Sequence, residues 1–338
     1  NTTITLSSPL ATANQSLCIN EPITSITYLV ANGATGATLV SGALPTGVTG
    51  TYNAGTKTFT IDGIASSAGT FNYTVATVGG CNTASLSGVI KVNPLPVVAL
   101  PQNGFICVDE FGTPITTYTL ATGLSSALYT FVWSDASGVI TGATASSYTA
   151  SAPGNYTVQV TNALTGCKNS ASATITTSLP PSAVYATASS YFADDQIITV
   201  TVTPPGDYEY QLDNGAFQEG NQFSDLSSGT HTITVKDKYG CGSKTTTIRI
   251  IDYPKFFTPN DDGYNDTWNI FDLNGQANAK IYIFDRFGKL LKEISPSGIG
   301  WDGIYNGKPL PSTDYWFQVD YEENAVSKEF KSHFSLKR

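Results

Sequence analysis

The chain has 338 residues, 41% of them hydrophobic and only 13% charged, and carries a formal net charge of −9. That length exceeds one small sandwich and suits three or four domains. With no basic segment anywhere, the composition argues against nucleic acid as a partner, and no apolar run approaches the length of a membrane-spanning helix.

The polar surface must come largely from uncharged side chains. Residues 1–178 hold 52 Ser plus Thr and only eight charged residues. Thr in alternation favours strands. Helical periodicity is nearly absent, and turn-forming Gly, Pro, Asn and Asp recur about every 8–12 residues, the pattern of sandwiches. The expected fold class is all-β, a tandem of β-sandwich domains. The opening Asn1-Thr2-Thr3-Ile4-Thr5-Leu6 reads as a strand already under way, as in a C-terminal piece of something longer or a mature product.

The first expected domain covers 1–93, with strands at Thr58–Ile61 and Thr70–Val75 and a last strand at Val89–Val92; Asn93-Pro94-Leu95-Pro96 is the linker. The second covers 94–178, with strands at Tyr129–Trp133 and Asn155–Val160. The third covers 179–252, opening at Leu179-Pro180-Pro181 and holding Ile197–Val202, Tyr208–Leu212, a turn at Asp213-Asn214-Gly215, and Thr230–Asp237. The fourth covers 253–338. Its strands are Lys280–Phe284, Leu290–Ile294 and Tyr315–Tyr321, with turns at Asp285–Gly288 and Asn306-Gly307. The final strand alternates, placing Phe330, Phe334 and Leu336 on one face and Glu329, Lys331, His333 and Lys337 on the other.

Five cysteines are present: Cys18, Cys81, Cys107, Cys167 and Cys241. Each of the first two pairs brackets one domain, which predicts intradomain disulfides Cys18–Cys81 and Cys107–Cys167 and an oxidising compartment. Trp133 then packs on the second bridge in an immunoglobulin-like arrangement. Cys241 is expected to be a buried free thiol, with an intermolecular bridge as the other reading.

The loop Phe257-Thr258-Pro259-Asn260-Asp261-Asp262-Gly263-Tyr264-Asn265-Asp266 is the densest polar feature. Asn260, Asp262, Asn265 and Asp266 offer hard oxygen donors for calcium, with Gly263 supplying a sharp turn. The other reading is a structural turn whose side chains bond their own backbone. Catalytic residues are not expected. His231 and His333 lie in different domains within strand patterns, and adjacent carboxylates such as Asp194-Asp195 or Asp261-Asp262 point to opposite strand faces. Tyr185, Tyr191 and Tyr208 in the acidic third domain are candidates for a surface-glycan face, against the plainer reading of core rings.

The run Phe257–Asp266 resembles the opening of the gliding motility-associated C-terminal domain, the type B C-terminal signal of Bacteroidota type IX secretion substrates. Ile283-Phe284-Asp285-Arg286-Phe287-Gly288-Lys289, Trp301-Asp302-Gly303 and Leu310-Pro311-Ser312-Thr313-Asp314-Tyr315-Trp316 extend the resemblance over 255–338. Asp261 departs from it, since the family more often shows Gly there. Tyr210–Gly215, Leu226–Thr230 and Val235–Cys241 are similar to the repeat of the giant gliding adhesin, and residues 1–178 look like immunoglobulin- or PKD-like repeats.

The resemblance implies export across the outer membrane and attachment at the cell surface, with the type IX outer-membrane translocon and a PorP/SprF-type β-barrel as partners. The residues expected to meet them are Phe257, Thr258, Pro259, Asn260, Asp262, Gly263, Asn265, Asp266, Phe330, Phe334 and Leu336. The expected function is the C-terminal part of a surface adhesin. The alternatives are the tail of a large secreted enzyme, or repeats that bind carbohydrate.

Overall fold

The computed structural model describes residues 1–338. It is built of strands and two short 3-10 turns, without an α-helix. No helix is long and apolar enough to cross a membrane.

Four hydrophobic cores organise the chain. The first lies between two four-stranded sheets. One holds Thr3–Leu6, Ile26–Ala31, Thr58–Gly63 and Val48–Asn53; the other holds Asn14–Cys18, Ser85–Asn93, Gly69–Val78 and Gly36–Gly42. Alternation does the sorting: Phe59 and Ile61 are buried while the alternating Thr58 and Thr60 are part-exposed. In the second core, Trp133, Phe131, Val158, Val160 and Ile175 pack beneath a five-stranded sheet that ends with Asn103–Cys107 beside Lys168–Ser178. Trp133 is fully buried, and its indole N–H donates to the Ala145 carbonyl at 2.9 Å. The third core, with Ile198, Val200, Tyr208, Ile233, Val235 and Ile250, sits between two three-stranded sheets.

The fourth core belongs to a five-stranded sheet in the order Phe256–Phe257, Val326–Leu336, Thr313–Glu323, Lys280–Phe284, Leu290–Ile294. Its long hairpin pairs Thr313–Glu323 with Val326–Leu336 over their full length. The Asn306-Gly307 turn adopts positive φ at both residues (49° and 74°) and joins a small antiparallel pair, as a two-residue hairpin requires.

By tertiary contacts the chain divides into two compact units. One comprises Asn1–Ile106 with Thr116–Thr177, the other Cys107–Ile115 with Ser178–Arg338.

The cysteine pairing corrects the sequence expectation. Cys18 bonds Cys167 and Cys107 bonds Cys241, while Cys81 is free and exposed. The reason lies in strand direction. Cys18 ends a strand that runs parallel to Ser85–Asn93, level with Asn93. Cys81 sits in the turn before Ser85, at the opposite end of that strand. At about 3.3 Å per residue the two are roughly 30 Å apart, whereas a disulfide needs Cα atoms about 4.4–6.8 Å apart. Cys107 and Cys167 are separated in the same way by the length of Lys168–Ser178, because Val108 N–H donates to Ser178 O, at the strand's far end. Cys81, Cys167 and Cys241 hold the same place, the turn of the last hairpin in the first, second and third bodies. Cys241 is therefore bonded rather than free, and Trp133 has no Cys107–Cys167 bridge to pack on.

The C-terminal loop and strand

The Asn260–Asp266 loop is held by its own carboxylates. Asp266 accepts the backbone N–H groups of Asn260 at 3.0 Å and Asp261 at 2.7 Å on Oδ1, and of Gly263 at 2.7 Å on Oδ2. Asp262 Oδ1 accepts the Tyr264 N–H at 2.8 Å, and its Oδ2 accepts the Asn260 side-chain amide at 2.8 Å. Thr258 N–H closes the loop onto Asn265 O at 2.7 Å. Desolvation works against an ionised Asp266, yet the backbone donors at Gly263, Asn260, Asp261 and Asp262 hold its pKa below the usual carboxylate range.

Three residues of the loop have positive φ: Asp261 (62°), Gly263 (88°) and Asn265 (51°). The Asp261 conformation accounts for the glycine that the resembling family favours there, since a side chain disfavours that region. These carboxylates do not converge with a third His, Cys, Asp or Glu into a metal-ligating group. The arrangement is that of a self-bonded Asx loop.

The aromatic core behind the loop fixes its ends. Phe257 and Trp268 flank it, and neither is exposed to solvent. Trp268 stacks on Phe334, exchanges both backbone hydrogen bonds with Trp301 at 2.9 Å, and donates its indole N–H to Pro254 O at 2.7 Å. Loop and terminal strand therefore share one core.

The expected recognition residues fall into two groups. Asn260, Asp262, Gly263 and Asn265 are exposed, and Thr258, Pro259 and Asp266 are partly so. Phe257, Phe334 and Leu336 are buried, so these three cannot touch a partner while the domain is folded, and Phe330 is half-buried with one side packed against the core. Val326–Leu336 is also no free-standing edge, since it lies between two neighbours, although Phe256–Phe257 covers only its last residues.

The outward face carries what the sequence reading passed over. Phe284, Trp316 and His333 stand opposite one another on three adjacent strands. Trp316 is 42% exposed and its ring centroid is 6.3 Å from that of His333. Tyr264 on the loop is 78% exposed. The alternation in Tyr315-Trp316-Phe317, with Tyr315 and Phe317 inward, was the available signal.

The preceding repeat reaches into this core. Phe192 stacks on Phe330 at 4.7 Å and meets Tyr321 edge-on at 5.1 Å. Tyr191 stacks on Tyr321 at 5.8 Å, and its backbone N–H donates to the buried Glu323 carboxylate at 3.0 Å. Arg249 adds a bidentate hold on Asp272 Oδ1 at 2.7 and 3.1 Å. Tyr208 is a core ring, only 4% exposed, which overturns its glycan-face candidacy; Tyr191 is half-buried against the fourth core, and Tyr185 remains on the surface. His231 uses both ring nitrogens, on Asp213 Oδ2 at 2.8 Å and Ser227 O at 2.9 Å.

Residues 251–336 match the CHU_C type IX secretion signal domain. This signal domain directs export by type IX secretion, to the cell surface or beyond it. Its matched span takes in the fourth core, apart from Tyr191 and Phe192 of the preceding repeat, together with the Asn260–Asp266 loop. The whole chain is similar to solved immunoglobulin-domain structures at low identity. An ICAM-5 ectodomain fragment is 10% identical, with 100% of this chain and 99% of that one covered and a TM-score of 0.33. An I-band fragment from titin is 14% identical, with 73% of this chain and 97% of that one covered and a TM-score of 0.33. Extracellular domains of Drosophila OTK are 11% identical, with 70% and 94% covered and a TM-score of 0.27. No curated protein matches the chain.

Proposed function

We propose that the chain is the C-terminal part of a non-enzymatic cell-surface adhesin. Its β-sandwich repeats are the displayed cargo, and its signal domain is read, folded, by an outer-membrane partner of the type IX system, a PorP/SprF-type barrel. The partner then holds the chain at the outer membrane.

One observation carries this reading. The Asn260–Asp266 loop is rigidly prebuilt by its own hydrogen bonds yet leaves its outer side chains in solvent. A loop ordered in advance loses little entropy on docking. Exposed Tyr264 supplies an aromatic anchor of the kind that dominates interface energetics. The terminal strand contributes through Lys331 and His333 on its outward face, while its inward residues hold the domain together.

The test is capture from outer membranes of a type IX-competent bacterium by the full 338-residue chain. Recovery of a β-barrel component is expected, with loss on Tyr264→Ala. Equal recovery by wild type and Tyr264→Ala, with both folded, would remove the loop from the recognition surface. Recovery of no membrane component would remove the partner reading.

A further inference from the structure

The two disulfides cross rather than nest. Cys107 lies within the loop closed by Cys18–Cys167, and Cys167 lies within the loop closed by Cys107–Cys241. Each bridge joins the end of a strand in one body to the last-hairpin turn of the next.

Tension between the chain's ends meets this crossing directly. Without the bridges, the backbone from Cys18 to Cys241 can be drawn out to roughly 800 Å, at about 3.6 Å per residue. With both closed, the shortest covalent route crosses from Cys18 to Cys167, runs backward to Cys107, and crosses to Cys241. The backbone on that route is the segment 107–167 alone, which extends to roughly 220 Å. Once it is taut, the flanking stretches cannot be pulled straight. The backbone from Cys18 to Cys107 could reach roughly 320 Å and that from Cys167 to Cys241 roughly 270 Å, yet each must fit within a gap of roughly 220 Å.

We propose that residues 18–241 act as a covalent strain limiter, a tether whose length under force is capped by its middle segment, 107–167. The first and third bodies stay off the fully taut path, so their chain spans the same gap of roughly 220 Å with slack left over and is never pulled straight. The cap is also redundant. Opening Cys18–Cys167 alone leaves the route from Cys18 along the backbone to Cys107 and across to Cys241, a gain of roughly 105 Å. Opening Cys107–Cys241 alone leaves the route across to Cys167 and along the backbone to Cys241, a gain of roughly 50 Å. Opening both releases roughly 590 Å. The mechanical role needs an oxidising compartment and is switched off by reduction.

The experiment is single-molecule force spectroscopy on the full chain, held by handles at its two termini. With the bridges closed, stretching is expected to draw roughly 220 Å from the Cys18–Cys241 region. Adding a thiol reductant to the held molecule should then lengthen it by roughly 590 Å, with no variant required. The paired change Cys18→Ser with Cys167→Ser should lengthen the unreduced chain by roughly 105 Å. The paired change Cys107→Ser with Cys241→Ser should lengthen it by roughly 50 Å. Two outcomes overturn the proposal. One is an unreduced chain that already reaches the reduced length while showing one reactive thiol; the other is a single paired change that releases the full gain.

Discussion

Trp268 and Phe334 stack face to face, with ring centroids 3.8 Å apart and planes 10° from parallel. One residue follows the Asn260–Asp266 loop and the other lies near the C-terminus, so the stack makes the loop's geometry depend on the last strand. Phe334→Ala should lower the stability of the signal domain by about 3–5 kcal/mol, read by denaturant unfolding. His333→Ala, one residue away but on the outward face, should change stability by under about 0.5 kcal/mol. If both changes cost the same, the inward and outward assignment is wrong. Deleting 330–338 should abolish partner recognition through unfolding rather than through loss of a docking strand.

Asp266→Ala removes the acceptor of three backbone amides. Amide exchange at Asn260, Asp261 and Gly263 should accelerate by about tenfold or more, with the rest of the domain unchanged. The pH dependence follows from a pKa held low in the folded state. Its contribution is fully present above the unfolded value of about 3.9 and is lost as pH falls through the lower folded value. The loop should stay protected through pH 4 and open below it.

Phe192→Ala should destabilise the signal domain although the residue lies outside the span that matches the secretion-signal family. Loss of a buried Phe costs about 3–5 kcal/mol, and Phe330, Tyr321 and Tyr253 lose their shared partner. The change brings no relief of the backbone, because Phe192 sits at φ 61° and alanine keeps the Cβ that makes this region unfavourable. Unfolding of the signal domain, followed by tryptophan fluorescence from Trp268 and Trp301, is the measurement. An unchanged midpoint would show that the repeat does not brace the signal.

His231 should make the third body sensitive to alkaline pH. Desolvation disfavours its imidazolium, but the Ser227 carbonyl and the Asp213 carboxylate outweigh that and raise its pKa. A raised folded pKa gives stability that is fully present below about 6.5 and lost as pH rises through the folded value. Asp213 is shifted down, by Thr232 N–H first and His231 second. Its contribution is present above about 3.9 and lost as pH falls through its lowered folded value. Both contributions are whole between about pH 4 and 6.5. His231→Gln should flatten the alkaline limb of a stability–pH curve.

Thiol titration of the unreduced chain should find one reactive group, at Cys81. Opening either bridge chemically should lower stability, each closing a loop of 149 or 134 residues worth about 5 kcal/mol in the chain-entropy model. Three reactive thiols, or modification at Cys241, would contradict the pairing.

Strand alternation was legible in the order of the residues. The positions of Phe59, Ile61, Phe334 and Leu336 follow from period two, because burial on a pleated sheet repeats at every second residue. The loop was legible as a turn, and its Asx bonding follows from residue type. The disulfides were not legible, since near-equal sequence spacing says nothing about which end of a strand a cysteine occupies. Phe192 was hidden for a related reason: a loop that serves a neighbouring core carries no periodic mark of it. Trp316 was visible in the sequence, but an aromatic in a strong strand pattern is read by default as core.

The crossed bridges have a consequence for a protein exported to where proteases are at work. Exposed loop tips are the usual sites of nicking, and Leu164 in one such turn is 91% exposed. Any single cut between residues 19 and 240 falls inside at least one of the two covalent loops. Both pieces then stay joined, and no fragment is released until a second cut or a reductant completes the separation.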